Sequence, residues 1–207
     1  MLEVSNLACM RGSRHLFGRL SFTLRSGDIM RLSGENGSGK SSLMNILCGL
    51  AAPQIGSINW RGRNVQGRLS EFHSELAYFG HKFALKADLC ALDATRFFLE
   101  AQGDRFSTDQ VLRIFEQQGL LYLAQVPVRC LSIGQCKRIA LTRLHFCRSR
   151  TLWLLDEPFS ALDQNAIASL KTLLLQHISD GGIVMFSSHG YEEINSTQVN
   201  FFLNKQC

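Results

Sequence analysis

Eight consecutive residues, Gly34-Glu35-Asn36-Gly37-Ser38-Gly39-Lys40-Ser41, carry the densest chemistry in this sequence of 207 residues. Glycines at 34, 37 and 39 allow tight backbone turns, so that successive N–H groups converge on one centre, as phosphate oxygens require. Lys40 supplies a cation for the β and γ phosphates, and the Ser41 hydroxyl, with Ser42 beside it, is placed to ligate Mg²⁺. The spacing is GxxxxGK[ST], the cradle of a bound nucleotide. Arg31-Leu32-Ser33 before it reads as a strand. Leu43-Met44-Asn45-Ile46-Leu47 after it reads as a helix, whose N-terminus adds partial positive charge.

A pair of carboxylates stands farther along. Leu152-Trp153-Leu154-Leu155 is a continuous apolar run suited to the buried middle of a parallel sheet, and it ends in Asp156 and Glu157. Asp156 is thereby expected at the C-terminal edge of the sheet, where doubly wound folds bind ligands, next to the Mg²⁺ held by Ser41 and in contact with it directly or through water. Glu157 follows on the other side of the backbone turn, able to face a γ-phosphate and take a proton from an attacking water. Helix capping is the alternative use of such a pair. Leu131-Ser132-Ile133-Gly134-Gln135, ahead of Lys137 and Arg138, forms a second glycine turn at a helix N-terminus that can meet an anion.

The elements needed to position these groups are legible. Residues 1–65 read mainly as strands and turns, with strands at Leu2–Leu7, Leu20–Leu24, Ile29–Leu32 and Ser57–Trp60. A short strand at 76–79 precedes helices at 92–101, 108–118 and 134–147, so that residues 82–133 form a helical insert with Ser107 or Thr108 as an N-cap. Ile167, Leu170, Leu174 and Ile178 step along one helix face between strands at 152–155 and 183–186, a right-handed crossover unit. One α/β domain spanning 1–207 is expected from this length.

Composition narrows the classes. Apolar residues make up 45% and charged residues 19%, which is globular, and no run approaches the ~20 apolar residues that span a bilayer. The opening Met1-Leu2-Glu3-Val4 lacks the basic stretch of a leader, so an unexported, soluble chain is expected. Seven cysteines without a CxxC pair suit buried, reduced thiols, and the histidines His15, His73, His145 and His177 lack the paired spacing of haem ligands. The net charge of +5 suits phosphate, an acidic protein surface or anionic lipid, and without interleaved aromatic and basic residues no nucleic-acid partner is expected.

Residues 131–135 resemble the LSGGQ signature of ATP-binding-cassette ATPases, with Ile133 in place of the first glycine. Leu154-Leu155-Asp156-Glu157-Pro158 followed by Ser160-Ala161-Leu162-Asp163 is similar to the family's Walker B segment and D-loop, and His189, after Phe186-Ser187-Ser188, matches its switch histidine. The resemblance covers nearly the whole chain. It implies a P-loop NTPase fold of the cassette type, with a mixed sheet core, an inserted helical lobe and an N-terminal antiparallel β part. It also implies ATP and Mg²⁺ as cofactors, Glu157 and His189 as catalytic residues, and a head-to-tail homodimer. In that dimer Ser132, Gly134 and Gln135 serve the partner's nucleotide and Asp163 belongs to the D-loop.

Besides Ile133, two positions depart from the family pattern. Arg11 stands where an aromatic residue stacks on adenine, and a guanidinium can stack on a base in its stead. His81 stands where a glutamine ligates Mg²⁺, leaving both metal ligation and a γ-phosphate or water-mediated contact open and making turnover pH-dependent. Tyr78-Phe79-Gly80-His81, Pro127-Val128-Arg129 and Leu154 to Phe159 together resemble the ATP-binding subunits of haem exporters in cytochrome c maturation. That narrower resemblance implies integral membrane subunits as partners and a place on the cytoplasmic face of an inner membrane. The phenylalanines at 79, 83, 97, 98, 106 and 115 are expected mainly as lobe core, with part of them lining a groove for a membrane subunit.

Overall fold

A computed structural model of the chain describes residues 1–12, 14–190, 194 and 198–203. It divides into two compact units. The first holds Met1–His81, Arg150–Pro158 and the described residues from Leu174 on; the second holds Lys82–Ser149 and Phe159–Leu173.

Two sheets build the first unit. One is antiparallel, with strands β1 (Leu2–Arg11), β2 (Arg14–Leu24), β4 (Ile55–Trp60) and β5 (Arg63–Asn64) in the order β2-β1-β4-β5. The other is parallel throughout, with β3 (Ile29–Ser33), β6 (Leu76–Phe79), β7 (Leu152–Leu155), β8 (Ile183–Ser187) and β9 (Val199–Phe202) in the order β6-β7-β8-β3-β9. The antiparallel and parallel strands are therefore held in separate sheets. All residues of β7 and β8 are buried, which explains why these strands are continuous apolar runs with no alternation. Burial of each Leu or Phe side chain in them contributes roughly 1.5–3 kcal/mol. Parallel pairing of β3, β7 and β8 brings three C-terminal strand ends to one edge, and helix α1 (Lys40–Leu47) starts there, just beyond β3.

Helices dominate the second unit: α3 (Ala91–Ala101), α4 (Thr108–Gln117) and α5 (Ile133–Leu141) enclose a core containing Leu92, Leu99, Val111, Phe115 and Ile139. Ser107 caps α4 in a reciprocal box with Gln110. Helix α6 (Gln164–Ser179) begins in this unit and ends in the first.

Several expectations are corrected. The helix expected at 134–147 stops at Leu141 and tightens into a 3₁₀ turn at Thr142–His145, where the buried Thr142 hydroxyl donates back to the Ile139 carbonyl at 2.6 Å. Strands β1 and β2 are longer than expected, since their hairpin pairing runs out to Arg11 and Arg14. Helix α2 (Leu69–Ser74) and strands β5 and β9 lacked a clear signal. Six described cysteines are free thiols, but only Cys48 and Cys147 are buried and Cys130 is exposed. Of the phenylalanines assigned to the lobe, Phe79 instead ends β6 in the first unit. Phe97 is 45% exposed beneath the Lys86 ammonium, whereas Phe115 is fully buried.

Candidate functional site

Residues 34–39 link β3 to α1 as a loop that only glycine permits at two points. A side chain at Gly34 would bring its Cβ within 2.6 Å of the Leu203 carbonyl and 2.7 Å of Ser38 Oγ. Gly39, the N-cap of α1, sits at φ 104° and packs where a Cβ would lie 3.1 Å from the Phe17 ring. Glu35, Asn36 and Gly37 are exposed at the loop tip, Ser41 is exposed at the head of α1, and Ser42 is half-buried. Lys40 is buried with its Nζ donating to the carbonyls of Gly34 at 2.8 Å and Glu35 at 3.1 Å. Burial pulls this ammonium below its usual pKa, and the Glu157 and Asp156 carboxylates oppose that shift. Ser38 Oγ is buried without a hydrogen-bond partner. A buried hydroxyl with no hydrogen-bond partner beside a buried cation held by loop carbonyls is the donor set a phosphate-binding cradle offers an anion.

The carboxylates gather at the same sheet edge. Asp156 is 2% exposed, and its Oδ1 accepts the Ser187 hydroxyl at 2.6 Å. The Glu157 N–H donates to the same Ser187 oxygen at 2.8 Å, and the Glu157 backbone is left-handed at φ 52°. His189 stands between Lys40 and Glu157, with Nδ1 3.4 Å from the Lys40 ammonium and Nε2 3.1 Å from Glu157 Oε1. The second contact is at ion-pair distance but is not aligned as a hydrogen bond. Because an ammonium has donors only, Nδ1 is the acceptor, which leaves Nε2–H facing the carboxylate. The turn that carries His189 is closed by Ser188, whose Oγ accepts the Gly190 N–H at 3.0 Å. His81 is exposed two residues beyond β6, whose last residue, Phe79, accepts the Asp156 N–H at 2.7 Å.

Comparison with known proteins identifies the family. The sequence profile of the ABC transporter family matches residues 17–160. The cytochrome c biogenesis ATP-binding export protein CcmA of Aromatoleum aromaticum is 43% identical over 189 residues, covering 91% of this chain and 88% of that protein. Its namesake in Vibrio parahaemolyticus is 39% identical over 189 residues, covering 91% of this chain and 92% of that protein. The chain belongs to the ABC transporter family. It is an ABC-type ATPase and the ATP-binding subunit of a transporter. The cassette fold agrees: a solved dimeric bacterial ABC transporter cassette superposes with a TM-score of 0.83 at 21% identity, covering 99% of this chain and 94% of that one.

The sequence-predicted residues Ser132, Gly134, Gln135 and Asp163 lie in the second unit. Ser132 is the N-cap of α5 in a reciprocal box: its Oγ accepts the Gln135 N–H at 3.2 Å, and Gln135 Oε1 accepts the Ser132 N–H at 2.9 Å. Both acceptors are thus used internally, so the Ser132 O–H and the Gln135 amide N–H₂ remain as donors. Ile133 is 72% exposed at the first helical position. Gly134 lies against the turn at Ala161, where a Cβ would approach the Ala161 carbonyl at 3.0 Å. Asp163 Oδ1 accepts the Ala166 N–H at 2.8 Å and caps α6, and Lys137 Nζ donates to Ser160 Oγ.

The phosphate loop, Asp156, Glu157 and His189 are brought together in one unit; Ser132, Gly134, Gln135 and Asp163 are brought together in the other. Arg11 ends β1, and its side chain lies outside the described residues. Sequence reading missed Ser187. Ser38 lies inside the loop motif and was legible as a member of it, but its missing partner was not. Ser187 carried no signal beyond a small polar residue at the end of a strand.

Proposed function

We propose that this chain binds MgATP between two head-to-tail copies, hydrolyses it with Glu157 and His189, and drives a membrane transporter of the haem-export type in cytochrome c biogenesis. The observation that carries the reading is the chain of contacts Lys40–His189–Glu157 beside the phosphate loop. Lys40 and the loop N–H groups hold the phosphates, and Lys40 exchanges its carbonyl partners for them. Ser41 and Asp156 would hold Mg²⁺, which supplies positive charge to the β and γ oxygens when bound. Glu157 accepts the proton of the attacking water, and His189 directs its Nε2–H toward the reacting side of the site. Ser132 and Gln135 present their free donors to the partner's triphosphate, and Gly134 and Asp163 shape that face. His81 completes the sheet edge near the γ-phosphate, and Arg11 stacks on the base. The two units belong to one cassette, with residues 82–133 in its helical lobe.

The relatives' names as export proteins of cytochrome c biogenesis support the cargo and the partners, which are integral membrane subunits. Among the described residues no helix is long and apolar enough to cross a membrane, consistent with a peripheral subunit on the cytoplasmic face of an inner membrane. The test is phosphate release by the co-purified transporter. Glu157→Gln is expected to lower it by about 10²–10⁴-fold with ATP affinity kept within a few-fold. Equal rates would remove the assigned base, and retention of the chain on nucleic acid in high salt, with no membrane subunit, would overturn the transport reading.

A further inference from the structure

We infer that Ser187 is a positioning residue for ATP hydrolysis, one hydroxyl that fixes the metal-side carboxylate of Asp156 and the backbone of the base Glu157 together. The inference rests on the assignment of Asp156 and Glu157 proposed above. Ser187 is fully buried as the last residue of β8. The register that pairs Leu155 of β7 with Phe186 of β8 sets it beside the start of the acidic pair. Its Oγ gives its only proton to Asp156 Oδ1 at 2.6 Å and accepts the Glu157 N–H at 2.8 Å. A hydroxyl is the smallest side chain that donates and accepts through one atom, so no apolar residue can replace it here.

Each half of this contact constrains the reaction. With Oδ1 of Asp156 occupied, Oδ2 is the oxygen left for a cation or its water, and the carboxylate cannot rotate without breaking a short hydrogen bond to a buried partner. At Glu157 the backbone is left-handed, a conformation that disfavours side chains larger than glycine. The bond from its N–H to Ser187 holds that conformation and satisfies a donor that would otherwise be orphaned. Ser188, the next residue, closes the turn that carries His189 through Gly190, so the end of β8 sets both acids and the histidine.

The experiment measures two quantities in Ser187→Ala, Ser187→Cys and Ser187→Thr: kcat for phosphate release by the co-purified transporter, and the gain in ATP affinity on adding Mg²⁺ to metal-free protein. Ser187→Ala is expected to lower kcat by about 10- to 100-fold, the cost of misplacing reacting groups by about an ångström. It should also shrink the Mg²⁺-dependent gain in affinity several-fold while metal-free ATP binding stays near wild type. Ser187→Thr, which keeps the hydroxyl, should recover most of both. Should the alanine variant fail to fold, Ser187→Cys, similar in size with a weaker donor, should show the same two losses in milder form. A wild-type kcat and Mg²⁺ increment in folded Ser187→Ala or Ser187→Cys would overturn the inference, as would a lowered melting temperature with neither readout changed. Asp156→Asn and Glu157→Gln serve as reference. If they too retain turnover, the site assignment itself has failed; if they abolish it while Ser187→Ala is unaffected, only the role of Ser187 has.

Discussion

Glu157 and Gly39 meet the same steric restriction in opposite ways. Gly39 adopts φ 104° at no steric cost because it has no Cβ, whereas Glu157 holds φ 52° with a full side chain, a conformation costing roughly 1–2 kcal/mol. Strain of this kind persists where surrounding bonds over-determine it, and here the Ser187 acceptor and the burial of Asp156 do so. Gly39 carries a direct prediction. Gly39→Ala would place a methyl 3.1 Å from the Phe17 ring at a φ that alanine rarely adopts. It should weaken ATP binding at least about tenfold in a titration of the purified chain, the equivalent of a strain of ~1–3 kcal/mol at one residue. Wild-type affinity in that variant would mean that the loop geometry described is not the binding geometry. The phosphate loop was readable in the sequence because all its determinants are consecutive. The bond from Ser187 to Asp156 was not, because it joins residues 31 positions apart through the register of two strands, which neither strand announces alone.

At the level of elements, the short helix α5 and the turn after it show what periodicity conveys and what it misses. Apolar spacing predicts a helix through residue 147, but the α-helix ends six residues earlier and tightens into a 3₁₀ turn whose first residue, the buried Thr142, bonds back to Ile139. Strands β7 and β8 were legible as uninterrupted apolar runs, while β9, four residues of which Val199 and Phe202 are largely exposed, left no such signal. The turn after α5 ends at His145, whose pKa is pushed down to about 4 from 6.5 by burial, with a smaller push from Arg148. The sign follows from linkage: as pH falls below 6.5 the unfolded chain takes up this proton before the folded one, so the unfolded state gains. Stability tied to His145 is therefore complete above pH 6.5 and drains away as pH falls from 6.5 toward 4. By pH 5 the loss is about 2 kcal/mol, less whatever solvent screening removes at its partly exposed edge. Urea unfolding of wild type and His145→Gln at pH 7 and pH 5 should show a smaller drop for the variant, and equal drops would contradict the assignment. In the same element, Ser132→Ala removes the N-cap of α5 and should cost about 1 kcal/mol of stability in urea unfolding at pH 7. No loss there would mean that the capping box contributes nothing to the folded unit.

For the whole molecule, the chemistry is divided. The phosphate loop and the acids belong to one compact unit, and the donors of Ser132 and Gln135 to another; in the function proposed above, a second copy supplies the triphosphate that the second set meets. Two copies with their loops and signature turns exchanged form a closed, two-fold arrangement with two equivalent sites. The family was readable from four ordered motifs, but the sequence could not show that the donor atoms of Ser132 and Gln135 remain free, because that follows from the reciprocal bonds of the capping box. The central claim is that each ATP is served by both copies. Its most direct test mixes two inactive forms of the co-purified transporter, one carrying Lys40→Ala and the other Ser132→Arg, and measures phosphate release. A mixed pair contains one site in which an intact loop faces an intact signature turn. Equal mixing should therefore restore about a quarter of wild-type turnover if the two sites act independently. A mixture as inactive as its components, with mixed pairs shown to form, would contradict the account.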